Sequence, residues 1–288
     1  MGRIAKWVGY GLAGIVGTGL LAAAVVYLVS EHEIRRKYPV PFASVAVPHD
    51  ASSIEKGKRL ATVYGCFNSC HGKQMEGSEL YDEPGIAKIN APNLTKVVRE
   101  YTDAQLERLI RHGVKRDGTT TWIMPSPMFS RLSDEDLVQI IAFVRSSPVL
   151  DGPMREVTVR PLGRLGIVTG QFKPLAGEIG PEVIRVAVTD RSDPLAFGKY
   201  LVQTACTECH GADLKGSEFL HAPSLEVSAA YSDEDFKRLM RTGVAIGGRQ
   251  VGMMTEVGRT RFPSLTDDEV DAVREYLRRH YASPQGEG

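Results

Sequence analysis

Four cysteines stand in the chain as two tight pairs, Cys66/Cys70 and Cys206/Cys209, and a histidine follows each pair directly, His71 and His210. Two thiols and an imidazole in so short a stretch can do few things. A redox pair of the thioredoxin kind needs a βαβ setting, which the flanking sequence lacks, and a zinc site needs further ligands at finger spacing. A structural disulfide suits an oxidising compartment but gives no reason for a histidine in both places. Cys206-Thr207-Glu208-Cys209-His210 has the spacing at which two thiols add to the two vinyl groups of one haem while the next residue reaches the iron. Cys66-Phe67-Asn68-Ser69-Cys70-His71 has one residue more between its thiols, a rarer form of the same pattern. That residue must loop outward if both sulfurs are to meet one haem.

The segments around the two pairs repeat each other. Ala91-Pro92-Asn93-Leu94 recurs as Ala222-Pro223-Ser224-Leu225, and Arg111-His112-Gly113-Val114 as Arg241-Thr242-Gly243-Val244. Before each pair an apolar helical period is predicted, through Ile54, Gly57, Leu60, Ala61 and Tyr64 and through Leu195, Gly198, Leu201 and Val202. After each pair Thr102 or Ser232 caps a helix carrying Leu106, Leu109 and Ile110 or Phe236, Leu239 and Met240. Each copy closes on an amphipathic helix with acids in its first turn, after Ser133 and after Thr266. The acids Asp233, Glu234, Asp235, Asp267, Asp268 and Glu269 are therefore read as helix-start residues rather than a docking patch. Neither copy holds a strand-rich block, so each is expected to be a small all-α domain.

A six-coordinate haem iron needs a second axial ligand. Arg111 to Met124 and Arg241 to Met254 are both thirteen residues, and each methionine follows a glycine-containing turn. Met124 and Met254 are the candidates, with Met128 and Met253 as competitors; Met75 and Met240 read as core. The ligating histidine needs its other ring nitrogen held, commonly by a backbone carbonyl, and the Pro92 and Pro223 loops are placed to supply one. His32, His49, His112, His221 and His280 have no counterpart in the other copy.

From Trp7 to Ser30 no residue is charged, and about 22 helical residues at 1.5 Å each span about 33 Å, enough to cross a bilayer's hydrocarbon core. Ala22-Ala23-Ala24 would suit a cleaved signal peptide, but the apolar run continues through Val25, Val26, Leu28 and Val29, which favours a retained anchor. Arg3 and Lys6 before the span and Arg35, Arg36 and Lys37 after it leave the positive-inside bias divided. The chain's 288 residues have room for about two domains, and the expected division is an anchor at 1–37, one domain at 38–148, a linker at 149–189 and a second domain at 190–282, with a frayed tail beyond. The linker shows no long helical period, yet Val157, Val159, Leu162, Leu165, Ile167, Val168, Phe172 and Leu175 would be costly to leave in water. It is expected to drape over the domains and fix their orientation. With 35 Lys+Arg against 35 Asp+Glu there is no net basic charge to hold a nucleic-acid backbone.

The attachment motifs followed by Gly72 and Gly211, the helices with Gly57 and Gly198, the proline and methionine loops and the closing helices together resemble class I c-type cytochrome domains. That resemblance implies two covalently bound haem c groups and a crossing of first and last helices, with Gly57 against Phe143 and Gly198 against Tyr276. The tandem arrangement behind one apolar helix is similar to membrane-anchored dihaem cytochromes c, and Arg160-Pro161-Leu162-Gly163-Arg164-Leu165 resembles the linker in cytochrome subunits of membrane dehydrogenases. It implies an electron carrier rather than a catalytic subunit, on a bacterial cytoplasmic membrane with the haem domains on the periplasmic side. His/Met ligation would close both irons to substrate and raise their potentials relative to bis-histidine ligation. The leading expectation is single-electron transfer between a quinol-oxidising complex or photochemical donor and an oxidase or soluble cytochrome. The alternative is a cytochrome subunit of a membrane-bound dehydrogenase complex; such subunits often carry three haems, and this chain has two attachment motifs.

Overall fold

A computed structural model describes residues 2–152, 157–179, 191–218 and 220–282. The linker stretch 180–190 and the tail 283–288 lie outside the described residues. Helix α1 (Gly2–Arg35) is followed by α2 (Ala51–Val63), strands β1 (Ser78–Glu83) and β2 (Ala87–Ala91), α3 (Leu94–Glu100), α4 (Asp103–His112), α5 (Ser126–Phe129) and α6 (Asp134–Ser146). Strand β3 (Thr158–Val159), α7 (Pro161–Val168) and α8 (Leu175–Glu178) form the described part of the linker. The second copy holds α9 (Pro194–Ala205), α10 (Thr207–His210), α11 (Asp233–Thr242), α12 (Met253–Thr260) and α13 (Asp267–Ala282).

In each copy the first and last helices cross at a glycine. A side chain at Gly57 on α2 would place its Cβ 1.9 Å from the carbonyl oxygen of Gln139 and 3.0 Å from Cβ of Phe143 on α6. At Gly198 on α9 the same construction falls 2.0 Å from the carbonyl oxygen of Ala272 and 2.9 Å from Cβ of Tyr276 on α13. The backbones touch, and Phe143 and Tyr276 are the aromatics the sequence pairs with those glycines. Asp50 caps α2 through the Ser53 amide, Thr102 and Gln105 form a full capping box on α4, and Ser133 and Ser232 cap α6 and α11.

Acids at these helix starts are held by arginines. Arg111 pairs with Asp134 and Arg241 with Asp267, both at 2.6 Å, and each also donates to backbone carbonyls of the preceding loop. Arg145 pairs with Asp103 and Arg274 with Asp233. These acids serve the fold.

Each copy is built mainly of helices, as expected, with two local additions. The first copy contains an antiparallel hairpin, β1 on β2, extended by the linker strand β3 into a three-stranded sheet. It occupies an insertion: His71 and Pro92 are 21 residues apart, whereas His210 and Pro223 are 13 apart. The turn sits at Pro84-Gly85, with Gly85 at φ +88°, a breaker pair that could have marked it. The linker is also more regular than its composition implies. Helix α7 starts at Pro161, as proline favours, and closes on the hairpin turn, where Gly163 lets the backbone of Ile86 approach, a Cβ there meeting its oxygen at 2.2 Å. Arg164 of α7 grips the end of α1, pairing with Glu31 at 2.9 Å, donating to Ser30 Oγ at 3.0 Å and lying over the Tyr27 ring. Leu162, Leu165 and Val168 remain exposed beside that end.

The two copies share one apolar core, which runs from Leu60, Tyr64, Phe129 and Leu137 to Phe197, Tyr200, Leu201 and Phe262. Their orientation is held by direct contact. Tyr200 Oη donates to Asp136 Oδ2 at 2.5 Å and accepts from the Ser133 amide at 3.1 Å. Asp136 also pairs with Arg191, and Arg59 forks onto Glu269 at 2.6 and 3.0 Å.

Replacing Gly57 or Gly198 by alanine should separate the crossed backbones and destabilise the affected copy by roughly 1–3 kcal/mol or more, the usual cost of overpacking. Gly177→Ala, whose new methyl would meet nothing closer than 3.7 Å, should leave the denaturation midpoint unchanged.

Candidate functional site

Each cysteine pair follows the C-terminal end of the crossing helix. In the second copy α9 runs into α10, and the amides of Cys209 and His210 both return to the Cys206 carbonyl, making one regular turn of the motif. In the first copy α2 stops at Tyr64, Gly65 turns left-handed at φ +79°, and the Cys70 amide reaches back to the Gly65 carbonyl at 2.9 Å. Asn68 absorbs the additional residue, in the left-handed region at φ +56°, which asparagine tolerates better than most side chains. The turn does not simply loop outward, because Phe67 packs edge-on against Phe143 with ring centroids 5.5 Å apart.

After each motif the backbone repeats closely despite different side chains. The amides of Gly77 and Gly216 bond the carbonyls of His71 and His210. Met75 and Leu214 both adopt positive φ, and their carbonyls accept from the amides of Leu94 and Leu225. This brings the proline loops over the imidazoles. His71 Nδ1 lies 3.0 Å from the Pro92 carbonyl oxygen, and His210 Nδ1 lies 2.8 Å from that of Pro223. A carbonyl can only accept, so Nδ1 carries the proton and Nε2 keeps a free lone pair. Burial lowers the pKa of both histidines, with the carbonyl bond opposing it, which keeps the rings neutral at pH 7.

The thiols are protonated and shielded. Burial pushes Cys66 and Cys206 up to about 12 and Cys209 to about 11, and it raises Cys70 as well. None is in a disulfide, and among the described residues no three His, Cys, Asp or Glu side chains converge as a metal cage. Two thiols beside an imidazole with a free Nε2, and no fourth ligand of that kind converging on them among the described residues, fit a covalently held haem better than structural zinc, which takes four ligands.

The methionine loops also repeat. A short antiparallel bridge joins Val114 to Thr120 and Val244 to Gln250, turning at Gly118 and at Gly247-Gly248, all with positive φ. Met124 then lies just before α5, and Met254 in the first turn of α12; both are partly buried against the core. Their competitors sit elsewhere: Met128 is a core residue at 4% exposure, and Met253 faces solvent at 51%.

The family model for cytochrome c matches residues 54–148 and 195–280. The chain belongs to the cytochrome c family. It carries two such domains in tandem behind an N-terminal helix long and apolar enough to cross a membrane. The chain is 26% identical over 280 residues to the cytochrome c subunit of a quinone alcohol dehydrogenase from Gluconacetobacter polyoxogenes, covering 83% of this chain and 58% of that protein. The cytochrome subunit of fructose dehydrogenase from Gluconobacter japonicus is 25% identical over 266 residues, covering 78% and 52%. The cytochrome c subunit of gluconate 2-dehydrogenase from Pantoea cypripedii is 26% identical over 267 residues, covering 78% and 59%. The chain thus spans little more than half the length of these relatives.

One residue near both motifs is absent from any sequence pattern read above. Arg261, just beyond α12, reaches from the second domain to the Val63 carbonyl at the end of α2, 2.9 Å away, and pairs with Glu208 inside the second motif at 3.2 Å. Its signal was a break in the repeat: Arg261 precedes buried Phe262 where Met128 precedes buried Phe129.

Truncating Met128 to alanine should cost about 2–5 kcal/mol of stability, as for other buried methionines, whereas Met253→Ala should leave the melting temperature unchanged. Thermal denaturation of the two variants checks this assignment of core and surface.

Proposed function

We propose that this cytochrome carries single electrons as the cytochrome subunit of a membrane-bound dehydrogenase complex, with two haem c groups. What carries the reading is the similarity, over 78–85% of the chain, to cytochrome subunits of alcohol, fructose and gluconate dehydrogenases. That favours a permanent dehydrogenase partner over the free-standing respiratory or photosynthetic carrier that was the leading expectation from sequence. The catalytic partner would oxidise an alcohol or sugar-like substrate, and this chain would accept its electrons singly and pass them on.

Cys66 and Cys70 would hold one haem and Cys206 and Cys209 the other. His71 and His210 would ligate through Nε2, with Met124 and Met254 as the second ligands. Bound haem supplies reversible one-electron chemistry at iron. The chain contributes the rest: Pro92 and Pro223 fix each imidazole's tautomer and orientation, burial keeps it an uncharged donor, and the helix crossing fixes the segment that carries the thiols. A histidine and a methionine held ready for each haem would leave no protein site for substrate, which suits a carrier.

Helix α1 would be the membrane anchor, with both domains on the periplasmic side. Arg35, Arg36 and Lys37 and the exposed Leu162, Leu165 and Val168 of α7 gather where the apolar run ends, a mixture suited to the lipid interface.

Purified in mild detergent, the protein should come away with a stoichiometric flavin- or quinone-containing subunit; isolation as a lone, fully loaded cytochrome would contradict the reading. In the oxidised protein the near-infrared Fe–S(Met) band should be roughly halved by Met124→Ala and, separately, by Met254→Ala. If Met128→Ala or Met253→Ala has that effect instead, the ligand register is wrong.

A further inference from the structure

Arg261 is only 5% exposed and bridges two domains. Nε donates to the Val63 carbonyl of the first, Nη1 to Glu208 Oε2 of the second, and Nη2 has no hydrogen-bond partner. A methyl group at Gly65 would lie 3.3 Å from its Cζ and 3.4 Å from Cys70 Sγ, so guanidinium and thiol flank the same glycine. Glu208 stands between Cys206 and Cys209. The guanidinium therefore lies against the attachment segments of both domains. The repeat shows that the position can be filled without charge, since Met128 occupies it in the first copy.

A buried guanidinium is costly to desolvate and stays charged at every pH the protein meets. We propose that Arg261 is a shared electrostatic element of the two haem sites, a fixed cation at the domain junction that raises both reduction potentials, with Glu208 as its partial counterweight. The inference rests on the two-haem reading. Reduction adds one electron to each ferric iron, with no bond made or broken, and so removes one positive charge from that site. A buried cation nearby penalises the ferric state more than the ferrous one, and burial limits the screening. An anion acts in the opposite sense. Arg261 touches both attachment segments, so its effect reaches both irons.

The test is potentiometric titration of the full-length protein in detergent, with redox mediators and optical detection, alongside a pyridine haemochrome count for every variant. Arg261→Gln should lower both midpoint potentials, because Glu208 is left uncompensated. Glu208→Gln should raise them, the double variant should return towards the parent values, and Arg261→Lys should retain them. Arg59→Gln breaks an ion pair between the domains, that with Glu269, and should move neither potential. If Arg261 were only a structural tie, both single variants would break the same bond and shift the potentials in the same direction; that result overturns the proposal. So does a shift confined to one haem, or none in variants holding both. If Arg261→Gln fails to fold, the upward shift in Glu208→Gln still decides. A parent protein with one haem per chain would instead remove the two-haem reading on which the proposal stands.

Discussion

The contact of bare backbone at Gly57 and Gly198 governs everything that follows it in each domain. Because no side chain separates the crossing helices, α2 seats directly on α6 and α9 on α13, and the C-terminal end of each first helix is fixed in space. The cysteine pairs begin within three residues of those ends. From there the chain is led by hydrogen bonds to the imidazole, the proline loop and the methionine loop, so an error at the crossing would propagate to every candidate ligand.

The same crossing orients the domains towards each other. The helices that end at the attachment segments also supply the interdomain contacts, including Tyr64 Oη with Thr204 Oγ1 at 3.2 Å and Val63 with Arg261. Sharing one core removes the freedom that a flexible linker would give two separate carriers. An electron carrier gains from that rigidity, since its transfer distances then do not fluctuate.

Much of this was legible in the residues because the chain states it twice. The attachment motifs, the proline carbonyls, the glycine and aromatic pairs and the methionine register all recur, and repetition separates them from background. What does not recur was harder to read. The hairpin fills an insertion without a partner copy, and its strand pattern is short enough to pass for loop. Helix α7 contains two glycines and only eight residues, so its periodicity is weak, and its helicity depends on docking against the hairpin turn and α1. Arg261 was harder to read for another reason: its partners, Val63 and Glu208, are 198 and 53 residues away, and a break in the repeat was its one local mark.

The central claim is that the two cytochrome c domains form one unit whose cysteine-pair segments meet at a common junction. Electron paramagnetic resonance of the fully oxidised, full-length protein addresses it directly, compared with variants lacking either cysteine pair. Neighbouring ferric irons held at this junction should interact magnetically, so the parent spectrum should differ from the sum of the two single-haem spectra in line width and saturation. A parent spectrum that is the plain sum of the two would place the haems apart and contradict the account.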